Sequence, residues 1–265
     1  MSVRWVVQTN LGKSYSEDLY NACQNVGVEF VPTIAIPFSD ELPDVPNDKP
    51  VIFYGATNWI NNIYKNNKWK PGVFFNPESI LPHWIEKYGH TALNFGARCL
   101  TLEALKAEID DGQHWEDRTF FIRPISDQKE FAGQVISAYG IWEWMNKVQT
   151  DIPDFGKTKI AIAEPVGIER EWRTFIVDGR VSSGSQYRRY GNSDVKCKLP
   201  KEVIEFAELR AKDYSPAPVF VMDIGRSANN LYVIEIGCFN SAGFYASSVD
   251  KIVKDVSEYI LKRNK

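Results

Sequence analysis

Apolar positions recur along this chain with two periods, one near two and one near three and a half. Val3 to Gln8 predicts a strand. Glu17 to Val26 predicts a helix, with Leu19, Ala22, Cys23 and Val26 as its apolar stripe. Ser14 or Ser16 stands where a helix cap belongs, and Gly27 where a helix stops. Val28 to Ile36 predicts a second strand, ended by Pro37. Pro37 to Pro50 holds four prolines and several acids and predicts a loop. Val51 to Tyr54 predicts a third strand, and Thr57 a cap for a short helix. Gly72 to Phe75 predicts another strand, and Pro77 to Lys87 a helix broken by Pro82. Alternating strands and helices predict a small α/β domain with a parallel sheet over residues 1–90.

A boundary is expected between residues 88 and 100, leaving residues 91–265 for the rest. Leu100 to Ile109 predicts a helix capped by Thr101, with Leu102, Leu105 and Ile109 inward. Arg118 to Pro124, Lys159 to Val166 and Trp172 to Gly184 predict strands, the last turning at Asp178-Gly179. Glu202 to Lys212 and Val249 to Lys262 predict helices. This larger part reads as α+β with antiparallel hairpins.

Val219 to Gly225 and Leu231 to Asn240 are two strand-like runs around a polar turn, Arg226 to Asn230. Alternation puts Val219, Val221 and Asp223 on one face, and Val233 and Glu235 on one face of the next strand. An antiparallel hairpin can bring Asp223 and Glu235 side by side. Adjacent carboxylates repel and are costly to desolvate. A hard divalent cation such as Mg²⁺ relieves both problems and commonly serves a polyphosphate. A solvent-facing hairpin with two ordinary acids fits the same pattern.

Composition narrows the field. With 265 residues, 44 % hydrophobic and 25 % charged, the chain has the make-up of an ordinary soluble globular protein. A net charge of −3 gives no general pull toward nucleic acid or anionic membrane. No apolar run nears the roughly 20 residues that cross a bilayer. The N-terminus reads as a first strand, not a secretion signal. Cys23, Cys99, Cys197 and Cys238 are scattered, with no C-x-x-C pair, which argues against zinc and fits a reduced cytoplasmic enzyme. His83 and His90 read as structural or surface residues.

Polar clusters close several strands. They are Thr119-Phe-Phe-Ile-Arg123-Pro124 running on to Lys129 and Gly133; Ile160-Ala-Ile-Ala-Glu164-Pro165-Val166 running on to Glu171 and Arg173; and Gln186-Tyr-Arg188-Arg189 running on to Lys196 and Lys198. Cationic clusters can hold phosphate oxygens while acids hold Mg²⁺. With the Asp223/Glu235/Asn240 hairpin, these motifs resemble the ATP-grasp superfamily over roughly residues 90 to 250. They look most like a divergent branch found in phages and bacteria, with an F-[VI]-R-P…K-x-F-x-G strand-loop. Val51-Ile-Phe-Tyr-Gly55 and Pro71-Gly-Val-Phe-Phe-Asn76 also look like that branch.

The resemblance implies a pre-ATP-grasp-like α/β subdomain followed by an α+β ATP-grasp fold with antiparallel sheets, two lobes and a hinge near residues 163–167. It implies an ATP-dependent ligase that activates a carboxylate as an acyl phosphate and joins it to an amine. The partners would be ATP, Mg²⁺, and a small-molecule or peptide carboxylate with its amine acceptor. Arg123 and Lys129 would meet phosphates, with Ala132-Gly133 as a flexible cover. Glu164, Pro165 and Val166 would meet adenine, and Glu171 the ribose. Arg173 and Arg188 would face phosphate or the reacting groups, from a loop after Ser183 in the case of Arg188. Lys196 or Lys198 would reach the γ-phosphate. Asp223 and Glu235 would hold the metal. Gly237 stands where the family has Asn, so Asn240 is expected to supply the third ligand. A kinase-like phosphotransferase, or an ATP-binding module without ligase chemistry, would use the same scaffold.

Overall fold

Burial on two faces explains the unbroken apolar runs at the N-terminus. In the computed structural model, residues 2–36, 39–111, 118–126, 131–150, 152 and 154–263 are described. Strand β1 (Arg4–Gln8) leads to helix α1 (Lys13–Val26), β2 (Glu29–Thr33), β3 (Val51–Tyr54), α2 (Thr57–Asn66) and β4 (Pro71–Gly72). The four strands form one parallel sheet in the order β2-β1-β3-β4. Val3, Trp5, Val7, Ile52 and Tyr54 point to one core with Leu19, Ala22 and Cys23 of α1. Val6, Val51 and Phe53 point to the other, with Trp59, Ile60 and Ile63 of α2. Period-two alternation thus feeds two apolar layers, as parallel sheets require.

The chain continues through α3 (Leu81–Tyr88), β5 (Arg98–Thr101), α4 (Leu102–Asp110), β6 (Thr119–Pro124), β7 (Gln134–Ser137), α5 (Ala138–Val148) and β8 (Lys159–Ala163). These strands make an antiparallel sheet in the order β5-β8-β6-β7. Leu102 and Leu105 of α4 and Ile141, Trp144 and Met145 of α5 pack on Ile122, Ile160 and Ile162. Thr101 caps α4 as expected, its hydroxyl accepting from Ala104 N.

Then follow β9 (Arg170–Val177), β10 (Arg180–Arg189), β11 (Asn192–Lys196), α6 (Lys201–Asp213), β12 (Val219–Ser227), β13 (Asn230–Cys238) and α7 (Val249–Arg263). The five strands form an antiparallel sheet in the order β11-β10-β9-β12-β13. Its hairpins turn on Asp178-Gly179, Tyr190-Gly191 and Ala228-Asn229, all six residues with φ between 46° and 76°. Two successive positive φ values give the turn whose twist matches the flanking strands.

The chain divides into two compact units, Met1–Pro77 with Ile168–Lys265, and Glu78–Gly167. In the first, Phe175, Val177, Val219 and Val221 share one core with β1, β3, α1 and α7. Trp5 Nε1 donates to Ser257 Oγ of α7 at 3.0 Å, which satisfies the polar edge of a buried indole. Cys23 is buried in this core, and burial pushes its thiol up to about 12, which leaves it an inert packing group. Among the described residues no helix is long and apolar enough to cross a membrane.

Three expectations need correction. Pro82 does not break a helix; it lies in the first turn of α3, where its missing N–H costs nothing. The strand expected over Gly72–Phe75 is only Pro71–Gly72, because Phe74 N donates to a side chain, Asn240 Oδ1, at 2.7 Å. The stretch after Ser183 is no loop: it continues β10 and turns into β11. Its charged residues mark an edge hairpin, a common guard against stray strand pairing.

Candidate active site

One face of the five-stranded sheet changes character along its length. Register pairs Val219 with Val177, Val221 with Phe175, and Asp223 with Arg173. Two apolar pairs in the core are therefore followed by an ionic pair on the same face. The next strand pairs Glu235 with Asp223, as the hairpin pattern predicts.

Arg173 and Asp223 form a bidentate ion pair: Nε donates to Oδ1 and Nη2 to Oδ2, each at 2.8 Å. The side chains are only 13 % and 6 % exposed. Burial opposes the guanidinium charge, but the Asp223 carboxylate outweighs it and raises the Arg173 pKa. Arg173 is a fixed cation at working pH.

Glu171, two residues before Arg173, is buried beside this pair. A β-bulge in β10 sets its surroundings. Gln186 opposes Trp172 and Arg188 opposes Glu171, so Tyr187 is the extra residue. The Tyr187 hydroxyl donates to Glu171 Oε2 at 2.7 Å, and Arg188 Nη1 lies 3.6 Å from Glu171 Oε1. Gly184, nearby on β10, is required by a close approach. A Cβ there would stand 2.6 Å from the Arg173 carbonyl oxygen and 2.9 Å from Leu199 Cδ2. Gly184→Ala is expected to cost about 1–3 kcal/mol, read as a lower denaturation midpoint.

The structure brings together Glu171, Arg173, Arg188 and Asp223, with Glu235 across from Asp223 in register. Lys196 and Lys198 are not in this group. Lys196 lies on edge strand β11, 2.7 Å from Asp194, and Lys198 is exposed beyond it.

Asn240 has a different occupation from the metal ligation expected of it. It is fully buried; its Nδ2 donates to Phe53 O at 2.6 Å and its Oδ1 accepts from Phe74 N at 2.7 Å. Gly55 N donates to the Asn240 carbonyl at 2.8 Å. The amide thus satisfies one backbone group of β3 and one of the segment after β4 and is committed to packing. Gly237 has no positive φ, and a Cβ there would meet only Val221 Cγ2, at 3.4 Å.

In the other unit, Arg123 lies on β6 opposite Ala161 of β8, two rungs from the Phe121–Ala163 pair. Glu164, Pro165 and Val166 follow β8 as an exposed segment without regular structure. Gly133 packs on Phe121, where a Cβ would come 3.0 Å from the ring. Lys129 lies outside the described residues.

The donor set suits a hard cation in part. Asp223 and Glu235 are oxygen donors paired on neighbouring strands, as a magnesium needs when phosphates and water complete its shell. Among the described residues no group of three or more His, Cys, Asp or Glu side chains could hold a metal ion, so an all-protein cage is not built.

Solved structures share this fold at low sequence identity. D-cycloserine synthetase DcsG superposes with a TM-score of 0.66 at 13 % identity, covering 98 % of this chain and 100 % of that one. The ATP-grasp ligase PsnB, complexed with a phosphomimetic variant of its minimal precursor, Mg and ADP, gives 0.59 at 12 % identity over 100 % and 99 %. D-alanine–D-alanine ligase from Bacillus anthracis gives 0.59 at 13 % identity over 98 % and 97 %. No curated protein sequence matches the chain. A family described as an ATP-grasp domain, the third family of its clade, matches residues 54–256. With that match over most of its length, on a sheet that carries its ionic groups at one end of one face, the chain belongs to this clade of ATP-grasp proteins.

Proposed function

We propose that the protein is an ATP-dependent ligase that joins a carboxylate to an amine. The observation that carries this reading is the cluster of buried Glu171 and Asp223 with Arg173 and the exposed Arg188, and with Glu235 in register, in a member of the ATP-grasp family. The carboxylate oxygen attacks the γ-phosphorus, and the bridging P–O bond breaks with its electron pair leaving on ADP. The amine then attacks the acyl carbon, phosphate departs, and the amine loses a proton. Such chemistry needs positioning and charge neutralisation more than a protein nucleophile. A site of Arg, Asp and Glu without Cys or His suits it.

In this reading Arg123 and Lys129 hold phosphates, the Glu164–Val166 segment meets adenine, and Glu171 meets the ribose. Arg173 and Arg188 stabilise charge that develops on the transferred phosphoryl group or the acyl phosphate. Asp223 and Glu235 would hold Mg²⁺, which neutralises phosphate charge when bound. Lys196 and Lys198 remain candidates for the γ-phosphate.

The test is ADP release with ATP, Mg²⁺ and amino-acid mixtures, alongside thermal shifts with ATP. Arg123→Ala and Glu235→Ala are each expected to lower ADP release by about 100-fold or more. Normal turnover by both variants would falsify the assignment. A thermal shift without ADP release would identify a binding module, and a phosphorylated acceptor a phosphotransferase.

A further inference from the structure

We infer that Tyr187 is a positioning residue of the proposed nucleotide site, its hydroxyl holding the Glu171 carboxylate beside the Arg173–Asp223 pair. The inference rests on the ligase reading above. It starts from the bulge in β10, which sets both Tyr187 and Arg188 opposite Glu171. Bulges of this kind re-aim a side chain, and they favour the neighbourhood of active sites. Here the bulge turns a phenol inward: Tyr187 is 9 % exposed, Glu171 5 % and Asp223 4 %. The hydroxyl lies 2.7 Å from Glu171 Oε2 and 3.5 Å from Asp223 Oδ2. It therefore donates to Glu171 and lies near Asp223, which sits on β12 two residues from Gly225, the register partner of Glu171.

The ring is clamped as firmly as the hydroxyl. Tyr245 stacks on it, with centroids 4.9 Å apart and planes 11° from parallel. The guanidinium of Arg173 lies 5.2 Å from the Tyr245 ring centre and 5.9 Å from that of Tyr187, and that of Arg188 lies 5.7 Å from Tyr187. Tyr245 takes φ of 50°, a conformation that an aromatic residue keeps only where its surroundings impose it. Serines of β10 impose it: Ser183 Oγ accepts from Ser248 N at 2.8 Å, and Ser185 Oγ accepts from Ala246 N at 3.3 Å. A strained aromatic is thus pinned over a buried tyrosine whose hydroxyl touches acids with proposed roles. Core packing alone would not call for that hydroxyl, since phenylalanine fills the same space.

The test uses Tyr187→Phe, which keeps the ring and its stack, with Glu171→Gln and the double variant. Affinity for AMPPNP is measured with Mn²⁺, beside melting temperature. Tyr187→Phe is expected to melt within a few degrees of the unaltered protein and to bind Mn²⁺·AMPPNP about tenfold more weakly, the weight of one charge-assisted hydrogen bond. The double variant is expected to bind little more weakly than Glu171→Gln alone, because each change removes the same charge-assisted bond between phenol and carboxylate. Unchanged affinity, additive losses, or a melting temperature more than about ten degrees lower would each overturn the inference; the last would mark a structural residue. If the unaltered protein binds no Mn²⁺·AMPPNP, the nucleotide reading fails and takes this one with it. If it binds and Tyr187→Phe binds equally well, only the role of Tyr187 falls.

Discussion

Asp223→Ala should both silence ADP release and destabilise the fold by about 3–5 kcal/mol. The stability loss comes from Arg173. Its guanidinium is nearly buried, and two of its N–H groups rest on Asp223 at 2.8 Å; Nη1 makes a longer contact, 3.4 Å, to Gly243 O. Removing the acid leaves a desolvated cation with no counter-ion on that side. Adding Arg173→Met to the variant should restore most of the lost stability, because it removes the buried charge left without a counter-ion. It should not restore ADP release, which in the proposed mechanism needs both charges. Urea denaturation of the single and double variants reads the first effect, and coupled ADP detection the second. A single variant as stable as the unaltered protein would show that the ion pair does not hold Arg173.

Asn240→Ala should be the most costly change among the neutral residues of the site region, lowering stability by about 2–4 kcal/mol. The amide occupies a fully buried position and bonds Phe53 O and Phe74 N, which have no water to turn to. Truncation orphans both groups and opens a hollow beneath the 3₁₀ turn Phe239–Ser241. The same experiment separates a strut from a metal ligand. A strut gives the full loss in metal-free denaturation, whereas a ligand gives a loss that appears only when Mg²⁺ is added.

Much of the fold is legible in the residues themselves. Val51 to Tyr54 announces a buried strand because all four side chains are apolar, and alternate ones enter separate cores. Asp178-Gly179 announces its hairpin because few other pairs accept two positive φ values. Tyr190-Gly191 and Ala228-Asn229 make the same turn with weaker signals. Gln134–Ser137 and Ala138–Val148 are harder still. A four-residue strand carries almost no periodicity, and Gly140 sits in the first turn of α5.

The candidate site divides in the same way. That Asp223 and Glu235 stand side by side follows from hairpin alternation, and the register bears it out. That Asp223 is held by Arg173 does not follow, because the partner lies 50 residues away on a strand whose register only the assembled sheet sets. Tyr187 is hidden for a related reason. A one-residue bulge decides which way a side chain points, and nothing in Gln186-Tyr-Arg188 announces where the ladder slips.

Read alone, the amino acids determine which segments are strands and helices, which strands are buried on both faces, and which families of chemistry the charged groups permit. These are short-range properties, written in periods of two and three and a half. The tertiary structure alone decides that Asn240 ties down backbone, that Arg173 grips Asp223, and that one phenol touches two acids. Each of those contacts joins residues far apart in the chain, so its partner is chosen by packing and register and not by neighbouring sequence.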